Sequence, residues 1–553
     1  MYLSKKITVA VATLALAASV LTACGPKAQP NQPAPGAGGT TAQTPGKPAV
    51  GGTVTLRLAK DPDSMNPILS ASAYGSMVYG QVYASLFEFN EKFEPEPYVA
   101  DTWTYTDNNT TLTIKVKSGI KFHDGSDLTA DDVVYTISAV MDKDYAGPRS
   151  SNVAPIKEIT ATDKTTVVIK LKEPSASLLE DINFGILQKS AFASTSIKEL
   201  DKHPQNFAPI GAGPYKFKEY KRGEYVTLER NENWFMSQKY AGAPFVKTLH
   251  MKVIPEDATA QASLENGEID ALTPDPKDVT RLEKDFANKL TVYNYERNGW
   301  GYMSLNVTRP HLNDKLVRQA LTYALDRNAI ITGLMDGRAV IPAGPIPSVS
   351  WAFDPSIKPF AYDVAKAKQL IEQAGYKLNA QGIAEKNGQP LKLTFYGSSG
   401  SSLIEGIAAL AKKNWKDIGV DLDIQLMDFN ALTENYMKPG KFDVSFSGFS
   451  LGLDPDQTAL FHSSSVNGFN RMRYSNPQVD KLLEQGVREG DQAKRKAIYS
   501  EYQKLLVDDA PVIFVYANLY SDAVAKKIQG VVNFPGAGTI ESGYQYRWSV
   551  TAQ

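Results

Sequence analysis

Residues 391–426, LKLTFYGSSGSSLIEGIAALAKKNWKDIGVDLDIQL, carry the alternation that decides the fold. Residues 391–395 read as a strand, 403–417 as a helix closed by Gly419, and 420–426 as the next strand. Just upstream, residues 363–374 read as a helix closed by Gly375. Elements that alternate in kind predict α/β lobes. Between the first strand and its helix, Gly397-Ser398-Ser399-Gly400-Ser401-Ser402 is low in complexity and reads as a flexible loop. Further out, Val54, Leu56 and Leu58 alternate with polar residues as a half-buried strand requires, and Leu112, Ile114 and Val116 do the same. Thr129, followed three residues later by Asp132, opens a helix with Val133, Val134, Ile137, Val140 and Met141 on one face.

The N-terminus bounds the compartment. Lys5 and Lys6 precede an uncharged apolar run over residues 7–21, about fifteen residues against the roughly 20 of a bilayer span, so residues 1–23 read as a secretory signal. Leu21-Thr22-Ala23-Cys24 resembles the bacterial lipobox, which makes Cys24 the site of lipid attachment. It is the only cysteine, so it has no intrachain partner for a disulfide. Residues 24–50 are rich in Pro, Gly, Ala, Gln and Thr and predict a flexible tether. The formal net charge of −1 gives no basic footprint for nucleic acid. The roughly 500 residues beyond the tether exceed one core and imply two or three lobes.

Motifs for chemistry are few. Gly448-Phe449-Ser450-Leu451-Gly452 matches the G-x-S-x-G nucleophile elbow literally, with Asp454, Asp456 and His462 after it, and suggests an extracellular serine hydrolase. An elbow needs a helix directly after its serine, and Pro455 between two aspartates signals a turn instead. His123, His203, His250, His311 and His462 lie apart without ligand spacing, which argues against a zinc site. The Asp-Pro-Asp triplets at 61–63 and 454–456 read as turns. With no nucleotide-binding motif, any ATP chemistry belongs to a partner, and neither a metal nor a cofactor is expected.

Several blocks, in one shared order, carry a family resemblance. They are Gly119-Ile120-Lys121-Phe122-His123-Asp124-Gly125-Ser126 with Leu128 to Tyr135, Pro209 to Tyr215, Glu229-Arg230-Asn231, and Gly267-Glu268-Ile269-Asp270. Further on come Val317-Arg318-Gln319-Ala320 to Arg327, Tyr474-Ser475-Asn476-Pro477 with Asp480 to Leu483, and Asp509-Ala510-Pro511-Val512-Ile513. Together they resemble the family 5 extracellular solute-binding proteins, whose members serve ABC importers. The blocks around His123 and Arg318 are read as turn and packing motifs.

The resemblance implies a two-lobed, type II periplasmic-binding-protein-like fold with the ligand cleft at the hinge. It divides the chain into lobe I (51–86, 207–299 and 518–553), an extra domain II (87–206) and lobe III (300–517). It implies a monomer on the outer face of the cell membrane that binds an oligopeptide and delivers it to permease subunits driven by a cytoplasmic ATPase. A strand over 442–450 would offer its backbone to the peptide at Gly448, Phe449 and Ser450. Tyr516, Trp300 and Tyr302 are the aromatic candidates near the cleft. Relatives hold an aspartate four residues beyond the strand's glycine, where it pairs with the ligand's α-amino group. Here that residue is Gly452, with Asp454 and Asp456 as rivals for the role. The substitution leaves a chelated metal or an oligosaccharide as alternative cargo.

Overall fold

A computed structural model describes residues 50–551 apart from Asn467. The signal, the lipid site at Cys24 and all of the tether but Val50 lie outside the described residues. No helix among the described residues is long and apolar enough to cross a membrane.

One extended sheet organises the molecule. Its first half runs Tyr215–Lys221, Tyr225–Arg230, Val246–Val253, Gly51–Leu58, Ala271–Leu272, then the long strand Val512–Ala525. Its second half continues from that strand through Gly299–Leu305, Val444–Ser450, Lys392–Ser398 and Asp421–Met427. Within Gly51–Leu58, Val54, Leu56 and Leu58 are buried as the alternation predicts. A separate antiparallel sheet joins Ala100–Thr106, Thr111–Val116, Thr166–Leu171 and Ile156–Asp163.

The cores divide along the same line. One holds Val54 and Leu56 together with Leu112, Ile114 and Val133, and reaches the C-terminal Trp548. Residues between 87 and 206 therefore share a continuous interior with strand Gly51–Leu58. A second core gathers Leu305, Leu393, Phe395, Ile407, Trp415 and Leu422 around the strand–helix–strand segment 391–426. A third packs Trp300, Tyr302 and Phe461 against Tyr499 and Tyr502. This mixed α/β arrangement about a shared strand is the expected two-lobed fold.

Local chemistry accounts for the element ends. Ala130–Met141 begins with a capping box in which Asp132 accepts the Thr129 N–H at 2.8 Å; Val133, Ile137 and Val140 are buried, while Val134 and Met141 are only half-buried. Val364–Gln373 is capped by Asp363, and Gly375 takes φ 89° just past its end. Gly419 does the same with φ 83° after Ser402–Lys416. Within the stretch 397–402, read from its composition as a loop, only residues 399–401 lie between strand and helix. Strand Lys392–Ser398 runs into it, and the Ser401 hydroxyl accepts the Ile404 N–H as the next helix's N-cap. Serine has two uses here, turn and cap, and composition alone does not separate them.

Candidate functional site

The long strand Val512–Ala525 serves both halves of the sheet. Residues 519–525 pair antiparallel with Leu290–Glu296, and residues 512–516 pair with Gly299–Leu305. The chain thus crosses between halves twice in one place, at Arg297-Asn298 and at Ala517-Asn518, joined by the Arg297 N–H on the Asn518 carbonyl at 3.0 Å. Two adjacent strand crossings are where a two-lobed fold can hinge, with Ala339–Val340 paired to Asn518 and Ala517 at the second.

Beside this hinge lies a strand edge left unpaired among the described residues. Val444–Ser450 is antiparallel to Gly299–Leu305 throughout, but its other neighbour, Lys392–Ser398, reaches only Val444 and Ser445. The Leu451 N–H donates to Asn298 and the Asn306 N–H to Asp443. Antiparallel alternation then turns the peptide groups of Ser447 and Phe449 inward and those of Gly448 and Ser450 outward. Both outward residues are exposed. Nothing crowds Gly448: a β-carbon there would meet only the Trp300 carbonyl, at 3.9 Å.

The sequence candidates fall into two layers. Phe449 is half-buried against Trp300 and edge-on to the exposed Phe469, with ring centres 5.7 Å apart. Trp300 and Tyr302 are 3 % exposed, and the Trp300 indole donates to the Pro345 carbonyl at 2.9 Å. Both belong to the core behind the strand, so as placed they support its edge rather than face it. Tyr516 is also buried; it stacks on Phe446 and covers Gly301, where a β-carbon would lie 2.5 Å from the tyrosine ring. Gly301 is therefore glycine to admit that ring, at the register shift beside the hinge.

The elbow residues do not assemble. Ser450 ends its strand, and the next helix, Thr458–Phe461, starts eight residues later. Asp454 makes a two-pronged ion pair with Arg495, at 2.8 and 3.0 Å. Asp456 accepts the Thr458 N–H at 3.0 Å, and His462 contacts Ser464 and Glu484. Among the described residues, no three His, Cys, Asp or Glu side chains gather to hold a metal ion.

Sequence reasoning missed one group: the acids of the short helix Leu178–Asp181. Glu180 reaches the turn that follows the open strand and accepts the N–H groups of Leu453 and Asp454, at 2.8 and 2.6 Å. It occupies the room beside Gly452, whose β-carbon would stand 3.0 Å from Glu180 Oε1. Burial, reinforced by Asp454 and Asp181, pushes the Glu180 carboxyl up to about 7 despite those two donors. Burial likewise pushes Asp181 up to about 6, with Asp454 and Asp456 adding to it. Nothing in Leu178-Leu179-Glu180-Asp181 distinguishes these acids from a solvated helix end; only the tertiary approach does.

Comparison with known proteins identifies the family. The model of bacterial extracellular solute-binding proteins, family 5 Middle, matches residues 94–471. The oligopeptide-binding protein AppA of Bacillus subtilis is 32% identical over 498 residues, covering 89% of this chain and 90% of that protein. Its structure in complex with a nonapeptide superposes with a TM-score of 0.66 at 31% identity, covering 92% of this chain and 100% of that one. Heme-binding protein A of Haemophilus influenzae is 26% identical over 559 residues, 95% of this chain and 97% of that protein. Matched over most of its length by that model, and sharing its fold with these proteins, the chain belongs to the family 5 bacterial extracellular solute-binding proteins.

Proposed function

We propose that this protein is the lipid-anchored, monomeric receptor of an ABC importer and that its cargo is an oligopeptide. The observation that carries the reading is the unpaired edge at Gly448 and Ser450, set beside the two-strand hinge. A receptor for peptides of varied sequence must hold what all peptides share. Outward N–H and C=O groups at every second residue do so, because a ligand strand can add to them regardless of its side chains. Each such hydrogen bond contributes about 0.5–1.5 kcal/mol, and closure of the lobes raises that by excluding water. The similarity to an oligopeptide-binding protein supports the same cargo.

In this reading the ligand contacts are Gly448, Ser450 and the Phe449 ring, while Trp300, Tyr302 and Tyr516 form the packed floor that keeps the edge straight. The hinge crossings support lobe boundaries near 299 and 517, with 87–206 as the extra domain. The protein binds without turnover: among the described residues no histidine hydrogen-bonds Ser450, and His462 is held by Ser464 and Glu484. Cys24 carries the acyl chains that keep the receptor at the outer membrane face.

Intact mass spectrometry of small molecules that co-purify with the protein tests the cargo. Peptides of mixed sequence are expected; a porphyrin, a metal chelate or a saccharide would overturn the reading. Detergent partitioning of wild type but not of Cys24→Ser tests the anchor.

A further inference from the structure

The open edge at Gly448 and Ser450 has two unlike faces. Side chains alternate along Val444–Ser450: Val444 and Phe446 enter the core that holds Leu393 and Tyr516, whereas Phe449 packs on the core of Trp300 and Tyr302. Gly448 falls on the Phe446 face and presents no side chain there, and the space a β-carbon would take is open but for the Trp300 carbonyl at 3.9 Å.

The Phe449 face is aromatic. Trp300, paired with Phe449 across the ladder, backs its ring with 6.4 Å between centres, and Phe469 meets the same ring edge-on at 5.7 Å. Phe469 is 56 % exposed, yet the turn that carries it is pinned. Its carbonyl accepts the Arg471 N–H at 2.7 Å. The Asn470 side chain donates to the carbonyls of His462 and Tyr474, at 3.0 and 2.8 Å, and accepts the Tyr474 N–H at 3.0 Å. Both rings thus keep apolar surface uncovered among the described residues, at a fixed place beside the edge. Arg471 is the charged neighbour: its guanidinium acts on the Tyr302 hydroxyl, and its Nη1 is buried without a hydrogen-bond partner among the described residues. A ligand acid is therefore the rival occupant of this face.

A strand that adds to the edge continues the pleat. The ligand residue beside Phe449 then turns its side chain to the Phe449 face, and its two neighbours turn theirs to the Gly448 face. Side chains adjacent on one face of a sheet touch, and aromatic residues pair well with aliphatic or aromatic partners there. We propose that Phe469, together with Phe449, makes the receptor selective for peptides carrying an apolar side chain at the residue beside Phe449, while the two flanking positions accept varied side chains. Phe469 is the specificity-determining residue of the pair, because Phe449 is partly spent on Trp300 and the Phe469 ring is not.

The proposal deepens the oligopeptide reading and rests on it. The test measures, by calorimetry on the full-length protein, a glycine–serine nonapeptide and the nine forms that carry one leucine at each position in turn. At least one leucine form is expected to bind at least fivefold more tightly than the parent peptide. Phe469→Ala is expected to bind the parent within twofold of wild type and to lose that gain, and Phe469→Leu to keep it, with circular dichroism confirming the fold of both variants. The proposal is overturned by the absence of a gain at every position, by a gain that survives Phe469→Ala, or by loss of parent binding along with the gain. A glutamate at the favoured position that gains as much as leucine also overturns it, and assigns the face to Arg471. If no peptide of the series binds, the oligopeptide reading falls and the proposal with it; parent binding without a leucine preference removes the proposal alone.

Discussion

Gly452 shows how one missing side chain is explained by a distant residue. Its β-carbon would crowd Glu180 Oε1 at 3.0 Å, a separation that a small shift of the glutamate relieves. A carboxylate in the same place adds like-charge repulsion that no shift removes. Gly452→Ala is therefore expected to bind the co-purified ligand within about threefold of wild type, and Gly452→Asp to lose about tenfold or more, roughly 1.4 kcal/mol, by calorimetry. Neighbouring Asp454 is locked by Arg495, with side-chain exposures of 13% and 7%. Arg495→Met leaves that carboxylate half-buried and unpaired, and should lower stability by about 3–5 kcal/mol in denaturant titration. The family-like blocks act structurally at this scale. Arg318 donates to the carbonyls of Asp509 and Leu312, and His123 lies between the backbones of Gly211 and Gly213.

Among elements, the strand Val444–Ser450 carries the functional argument. Only one of its edges is paired past Ser445, so proline is tolerated where the N–H already points outward. Gly448→Pro should leave stability within about 1 kcal/mol of wild type and weaken ligand binding about fivefold or more, since one donor to the ligand is gone. A collapse of stability with unchanged affinity would count against the edge as the site. This strand was reached through the family resemblance, whereas the helices that follow Thr129 and Asp363 were legible from local spacing and end chemistry. The full length of Val512–Ala525 was not legible, because its second half depends on pairing with Leu290–Glu296, far away in sequence. Glu180 was missed for the same reason, since its partners lie 273 and 274 residues away.

At the scale of the whole molecule, burying the acids of the Leu178–Asp181 helix against the turn at Leu453 carries a charge cost that depends on pH. Asp181 has a folded value of about 6 against an ordinary 3.8, so the folded state binds its proton more tightly than the unfolded chain does. The sign follows: the group favours the folded form at low pH, and that contribution is lost as pH rises from about 4 through about 6. Asp181→Asn removes the charge while keeping a carbonyl for the Ser177 hydroxyl. Without ligand, the variant should therefore match wild type near pH 4 and exceed it at pH 8 by on the order of 2 kcal/mol. His123 works in the opposite direction, because burial lowers it to about 4 and its contribution is lost as pH falls from about 6.5. Comparing the variant with wild type at each pH cancels the histidine, since both proteins contain it. Thermal unfolding of the two from pH 4 to pH 8 reads the difference directly. A gap that is constant with pH would show that Asp181 is solvated in the folded protein and that its charge does not oppose folding.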